Sequence, residues 1–310
     1  MSTTVSAPRF SAPRFSATGV AALALLSVTA AWGSTFFLIK DVVTRIPPAD
    51  FLAVRFAVAA LALYAVAPSA VRRLSARQWR HGLILGAVYG LAQILQTVGL
   101  AHMPASVSGF VTGMYVVFTP LLGAVVLRRP VGRVTWLAVA VATAGLAALS
   151  LRGFAVGSGF GVALTLLGAA LYAVHILGLG VWSVGREALG LSIVQMGAIA
   201  AVCTLFALPG GITVPTTTGD WAGLLYMAFV AGALALVVQT WAQAHLPATR
   251  AAVIMTMEPV LAAGFAVAFG GESPTVRMVL GGALVLAAMY LVELGPRRAA
   301  DAEVAHVGPV

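Results

Sequence analysis

Gln96-Thr97-Val98-Gly99-Leu100-Ala101-His102-Met103-Pro104-Ala105-Ser106 and Gln239-Thr240-Trp241-Ala242-Gln243-Ala244-His245-Leu246-Pro247-Ala248-Thr249 are two copies of one motif, 143 residues apart. Six of the eleven positions are identical, and a Ser/Thr pair closes the motif. An apolar composition explains matched Ala and Leu, but not a shared Gln-Thr, His and Pro. Each copy joins two long apolar runs, so the chain reads as two homologous halves. Downstream, Pro120 and Pro259 are expected to correspond, with the first half four residues longer there, about one helical turn.

The runs flanking the motif extend over the whole chain. Of its 310 residues 61% are hydrophobic and 9% charged, whereas soluble domains carry about 25% charged residues. Apolar runs near 20–39, 50–68, 82–101, 106–127, 134–151, 159–182, 189–208, 221–244, 248–269 and 278–294 match the roughly 20 residues that cross a bilayer. The expected fold is therefore an all-α integral membrane protein of ten transmembrane helices. Five lie in a first repeat over 20–151 and five in a second over 159–294. An odd number of helices per half turns the second copy over, which is the inverted-topology repeat of many secondary transporters. Even the longest connection, around Pro209 to Asp220, is too short to fold outside the membrane.

Residues 1–19 contain Ser6-Ala7-Pro8-Arg9-Phe10 followed by Ser11-Ala12-Pro13-Arg14-Phe15, which reads as a disordered cytoplasmic arm. A signal peptide with Thr29-Ala30-Ala31 as its cleavage site is the rival reading; it is disfavoured because the apolar run continues to Ile39. Residues 295–310 form a cytoplasmic tail.

The net charge of +9 does not indicate a nucleic-acid partner, because the arginines sit in short clusters between apolar runs. With the N-terminus inside, thirteen of eighteen basic residues fall in cytoplasmic segments and four outside, with Arg55 in the membrane. Both termini are thus expected to be cytoplasmic. The one cysteine, Cys203, lies in an apolar run and reads as a small hydrophobe. His102 and His245 would lie at opposite faces, and the remaining histidines lack ligand spacing, so neither a metal nor another cofactor is expected.

Polar groups inside such helices should face protein or a wet cavity. Ser108, Thr112, Tyr115 and Thr119 share one helical face, as do Tyr89, Gln93 and Gln96. Gln239 and Gln243 stand one turn apart, and Tyr172 and His175 share a face; helix one offers Trp32, Ser34 and Thr35. Interhelical hydrogen bonding is the bland alternative for each residue, but stripes on two adjacent helices favour a cavity. Arg55 has two roles open to it, snorkelling to the interface or holding a substrate carboxylate. Glu258 is the acidic residue deep inside a run, where a charge costs roughly 2.5–3.5 kcal/mol on insertion scales. Pro259 beside it removes a backbone donor and frees the carbonyl of Met255, making Pro120 and Pro259 expected kinks. A carboxyl beside a broken ladder suits a proton or a substrate amine, so Glu258 is the proton-coupling candidate.

Together these residues resemble the drug/metabolite transporter superfamily, and within it the EamA-type ten-helix exporters. The resemblance rests on Trp32-Gly33-Ser34-Thr35-Phe36, Arg55-Phe56, Gln96, Ala105-Ser106 leading to Pro120, Gln239, Ala248-Thr249, Glu258-Pro259 and Glu272, and covers about 20–294. It implies alternating-access transport of small metabolites or drugs, often as proton-coupled efflux, across a bacterial plasma membrane. The chain departs from the family pattern at Arg128-Arg129, where an acidic residue is frequent, as at Glu272.

Three functional classes compete. A secondary transporter accounts for the repeat and the central polar groups. A passive channel or facilitator needs a ring of carbonyls or charges, which Glu258 alone does not make. A membrane-embedded enzyme needs a catalytic constellation, and no His-Glu-x-x-His, Gly-x-Ser-x-Gly or P-loop is present. The sequence does not choose between a monomer and a homodimer.

Overall fold

The computed structural model describes residues 17–103, 105–126, 128, 131–150, 159–269 and 273–294. The N-terminal pentapeptides, Pro104, Arg129, Glu272 and the C-terminal tail lie outside the described residues. The described chain is all-helical, without a strand. Its main elements are α1 (Ala17–Val42), α2 (Pro48–Val66), α3 (Ala76–Ala101), α4 (Ala105–Thr112 and Tyr115–Val126), α5 (Arg133–Ser150) and α6 (Gly159–Trp182). The chain continues through α7 (Ala188–Ala207), α8 (Thr218–Gln243), α9 (Ala248–Phe269) and α10 (Val276–Leu294).

Among the described residues, eight helices are long and apolar enough to cross a membrane, namely α1 to α4 and α6 to α9. The apolar stretches of α5 and α10, Arg133–Gly145 and Val279–Leu291, are shorter. The protein is a multi-pass membrane protein.

Local signals set the helix ends. Ser75 opens α3 with a capping box, accepting from the Gln78 backbone while the Gln78 side chain returns to Ser75, so two otherwise unpaired donors are satisfied. Prolines at the first helical position or just before it begin α2 and α9, where a missing N–H costs nothing. Lys40 closes α3 by donating to the carbonyls of Leu100 and Ala101 at 3.1 and 3.2 Å.

Glycine lets the helices approach closely. A Cβ on Gly86 of α3 would lie 2.4 Å from the Gln195 carbonyl of α7, and one on Gly99 would lie 2.8 Å from the Gly161 carbonyl of α6. Helix α6 runs antiparallel to α3, with Gly161 beside Gly99 and Gly178 beside Leu85. His102 stacks edge-on against Phe160, at the start of α6. His245 lies against Gly185, beyond the end of α6. The two motif histidines are therefore separated by the length of α6, 24 residues or about 36 Å.

Each end of the bundle has its own ties. At the His102 end, Arg45 pairs with Asp41 and Asp220 at 2.6 Å each, joining α1 to α8. Hydrogen bonds to Asp41, then Asp220, hold the Arg45 guanidinium above its ordinary pKa. Asp50 of α2 accepts from the Thr213 backbone at the same end. At the His245 end, Gln78 donates to Glu187, and His81 stacks on Trp182 with ring centroids 4.4 Å apart.

The Gly86 contact is with backbone, so no rotamer change relieves it. Gly86→Ala should destabilise the protein by about 1–3 kcal/mol, the usual cost of overpacking, lowering the midpoint of thermal unfolding in detergent. Gly197→Ala, whose Cβ meets nothing within 4 Å, should leave the midpoint unchanged or slightly higher, as expected for Ala over Gly in a helix.

Candidate functional site

Three of the long helices are interrupted. Helix α1 breaks at Ser34, α4 at Gly113–Met114 and α9 at Thr256. At the α4 break the backbone tightens to i→i+3 bonds, Met114 N–H to Val111 O and Val117 N–H to Met114 O. Thr256 does the same, donating its N–H and its hydroxyl to Val253 O. Ser34 turns its hydroxyl to Ala31 O and to the Tyr226 hydroxyl, at 2.7 Å each.

The offset of 143 residues that carries Gln96 onto Gln239 also carries Gly113 onto Thr256 and Tyr115 onto Glu258. The first segment of α4 packs on the second segment of α9, and the second of α4 on the first of α9. The helices thus cross at their breaks. This alters the expectation for the prolines. Pro259 follows its break within a turn, where it denies Met255 O a donor. Pro120 lies inside the continuous Tyr115–Val126 segment, and the α4 break precedes it at a glycine. The interruption recurs at the repeat spacing; the proline does not.

The residues flanking the breaks meet at one cavity. Both sides of every break reach its wall: Trp32 and Thr35, Thr112 and Tyr115, Met255 and Glu258. Helices α2, α3, α6 and α8 complete it with Arg55, Gln93, Gln96, Tyr172, His175 and Gln239. Irregular backbone inside an apolar layer must be compensated by protein or by a water-filled space, and the residues flanking all three interruptions line one space.

The walls are cross-linked by side chains. Tyr172 donates to Gln96 Oε1 at 2.6 Å, and Gln96 Nε2 donates to Thr112 Oγ1 at 3.1 Å. The Tyr89 ring meets Tyr172 and His175 edge-on, with centroids 5.3 and 4.9 Å apart. Tyr115 donates weakly to Glu258 Oε2 at 3.4 Å. Helix α8 contains a π-helical segment, Phe229–Leu234, whose wider turn exposes carbonyls. Trp32 Nε1 donates to Ala231 O at 2.8 Å, and Arg55 Nε to Met227 O at 3.1 Å.

Arg55 does not snorkel. It is 3% exposed, lies 4.9 Å over the Phe56 ring, and lines the cavity. The expected stripe on α4 is also split by the Gly113–Met114 turn. Thr112 and Tyr115 reach the cavity, whereas the buried Ser108 and Thr119 are not on its wall. Gln243 stands behind the wall, donating to Ile176 O at 2.9 Å and accepting from Gln239 at 3.0 Å.

Sequence reasoning passed over Gln195, which meets His175 Nε2 at 2.9 Å through its Oε1. Its amide in the run 189–208, whose other polar side chains are the small hydroxyls of Ser192 and Thr204, was the available signal. The π-helical segment had none, since Phe229–Leu234 is uniformly apolar or small.

A family profile described as "EamA-like transporter family" matches residues 19–151 and again 159–294. An uncharacterized transporter of Archaeoglobus fulgidus is 30% identical over 274 residues, 88% of this chain and 86% of that protein. The pseudopaline exporter of Pseudomonas aeruginosa is 27% identical over 280 residues, 85% of this chain and 93% of that one. A probable terminal-alkyne amino-acid exporter of Streptantibioticus cattleyicolor is 28% identical over 301 residues, 91% and 97% of the two chains. One solved crystal structure superposes with a TM-score of 0.72 at 19% identity, covering 90% of this chain and 97% of that one; at that identity the likeness concerns the fold.

The Tyr172–Gln96–Thr112 chain supplies a stability test independent of substrate. Gln96→Leu strands the hydroxyls of Tyr172 and Thr112 and should cost about 1–3 kcal/mol. Combined with Tyr172→Phe, the loss should fall short of the sum of the singles by roughly 0.5–3 kcal/mol, as for groups in direct contact. Thermal unfolding of the four proteins in one detergent measures it.

Proposed function

The chain belongs to the EamA-like transporter family, and on that premise we propose that it is a proton-coupled secondary exporter of small metabolites carrying an amine and a carboxylate. It works by alternating access across a bacterial plasma membrane. The observation that carries this reading is the cavity at the three helix breaks, which holds a buried guanidinium and a buried carboxyl on different walls. Arg55 spends Nε on Met227 O, and its Nη1 and Nη2 have no hydrogen-bond partner among the described residues. Two parallel N–H donors match a carboxylate. Glu258 holds one long bond from Tyr115, which leaves its carboxyl available to a proton or an amine. The names of the relatives agree, since one is a probable amino-acid exporter.

In this reading α5 and α10 also cross the membrane, giving two inverted five-helix halves, 20–151 and 159–294, with both termini in the cytoplasm. The inversion is supported by the antiparallel crossing of α4 and α9 and by the separation of His102 from His245. Substrate sites at the interface of such halves are the rule for inverted-repeat transporters.

Coupling follows from competition. When the cavity is open and wet, the Glu258 carboxyl exchanges its proton or binds an amine. When the cavity closes empty, desolvation favours the neutral acid. A proton entering from outside is thereby exchanged for a substrate leaving from inside, and each weakens binding of the other, as linkage requires.

Glu258→Gln keeps size and hydrogen bonding but releases no proton. It should abolish efflux driven by an imposed pH gradient in proteoliposomes while the protein remains folded and inserted. Uphill export equal to the parent's would make Glu258 structural. For topology, His102→Cys and His245→Cys in a Cys203→Ser background should differ in labelling of intact cells by an impermeant thiol reagent. Equal labelling from outside would reject the inverted repeat.

A further inference from the structure

The hydrogen bonds around α6, α7 and α8 assign a direction to every amide in the group. Gln243 Nε2 donates to the Ile176 carbonyl at 2.9 Å, and a carbonyl only accepts. Gln243 Oε1 is therefore the acceptor that faces Gln239, whose Nε2 donates to it at 3.0 Å and also points at the Met255 sulfur. Gln239 Oε1 is left bare. On the adjoining side, Thr240 commits its hydroxyl hydrogen to Leu236 O at 2.7 Å. It accepts from Gln195 Nε2 at 3.4 Å, so Gln195 presents Oε1 to His175 Nε2 at 2.9 Å. The single proton of the neutral His175 ring is then on Nε2. Its Nδ1 is an acceptor as well.

Both bare atoms are buried without a protein hydrogen-bond partner among the described residues. His175 is 0% and Gln239 2% exposed, and both residues line the cavity. A second proton on His175 would bury a cation beside no carboxylate within hydrogen-bonding distance, at high cost. Buried acceptors are nearly always satisfied, and leaving one unmade costs more than a typical bond contributes. The Gln243 to Ile176 bond ties α8 to α6, the two helices that carry these acceptors.

We propose that this wall is an amine subsite in which His175 Nδ1 and Gln239 Oε1 receive two N–H bonds from a primary amino group of the substrate. The proposal rests on the amine-and-carboxylate reading above and specifies which amines fit. A primary ammonium has three N–H bonds, two for this pair and one for the Glu258 carboxylate, which lines the same cavity. A tertiary amine, with one N–H when charged, leaves an acceptor unpaired, and a hydroxyl replacing the amine does the same. Arg55 supplies only donors and takes the carboxylate. The cavity thus orients a substrate by hydrogen-bond polarity as well as by charge.

The test is calorimetric binding of L-norvaline, N,N-dimethyl-L-norvaline and L-2-hydroxypentanoate to the full-length protein in detergent. These probes share the carboxylate and an unbranched apolar tail suited to Phe36, Ile39 and Ile176, which line the same cavity. Norvaline should bind about 10- to 100-fold more tightly than either analogue, the discrimination expected when one or two buried acceptors go unmet. In His175→Phe and Gln239→Leu the ratio of norvaline to its N,N-dimethyl analogue should collapse toward unity, while the hydroxy acid, which brings no charge to Glu258, stays weaker. Equal binding of all three probes by the parent overturns the amine subsite and leaves the Arg55 carboxylate site standing. Binding of none overturns the amine-and-carboxylate reading and the subsite with it. A ratio unchanged in both folded variants overturns the assignment to these two residues. If a variant does not fold, the parent's ratio of norvaline to its N,N-dimethyl analogue decides, because pairing with Glu258 alone does not separate two cations.

Discussion

Within an apolar layer the backbone has no water to fall back on, and each broken helical hydrogen bond must be replaced locally. That constraint organises this protein. Ser34, Gly113–Met114 and Thr256 interrupt three long helices, and the residues on both sides of each interruption line a single cavity. Tight i→i+3 bonds and hydroxyls from Ser34 and Thr256 take up part of the deficit. Helix α8 lends two carbonyls to side chains of other helices, Ala231 O in its π-helical segment to Trp32 and Met227 O just before that segment to Arg55. The glycine contacts of α3 with α6 and α7 form a closely packed wall around this irregular centre.

The polar side chains of the cavity are divided by chemistry. Arg55 brings donors from α2, His175 and Gln239 bring acceptors from α6 and α8, and Glu258 adds a carboxyl from α9 beside its repeat counterpart Tyr115. The ion pairs of Arg45 at one end of the bundle and the Gln78–Glu187 and His81–Trp182 contacts at the other are the ties that opening to either side would have to loosen.

Much of this was legible in the sequence, for identifiable reasons. The repeated motif was readable because it carries polar residues in apolar runs, and the glutamines that open its two copies, Gln96 and Gln239, both line the cavity. Helix existence followed from apolar length, and the depth of Glu258 from its position within its run. The rest depended on three-dimensional context. A turn in mid-helix at Gly113 leaves no composition signal, so the stripe from Ser108 to Thr119 read as one face when it is two. Arg55 read slightly better as an interfacial anchor, because sequence does not show that Met227 O and the Phe56 ring hold it inside. The directions of the Gln195, Gln239 and Gln243 amides were invisible until their carbonyl anchors were placed.

Competition between a proton and an amine for Glu258 is the centre of the mechanism we propose, and it has a direct equilibrium signature. L-Norvaline added to the purified protein in weakly buffered detergent solution, with a pH indicator present, should release close to a proton for each molecule bound. Glu258→Gln should release none while still binding through Arg55 and the acceptor wall. Norvaline binding to the parent with no proton released would contradict the coupling assigned to Glu258.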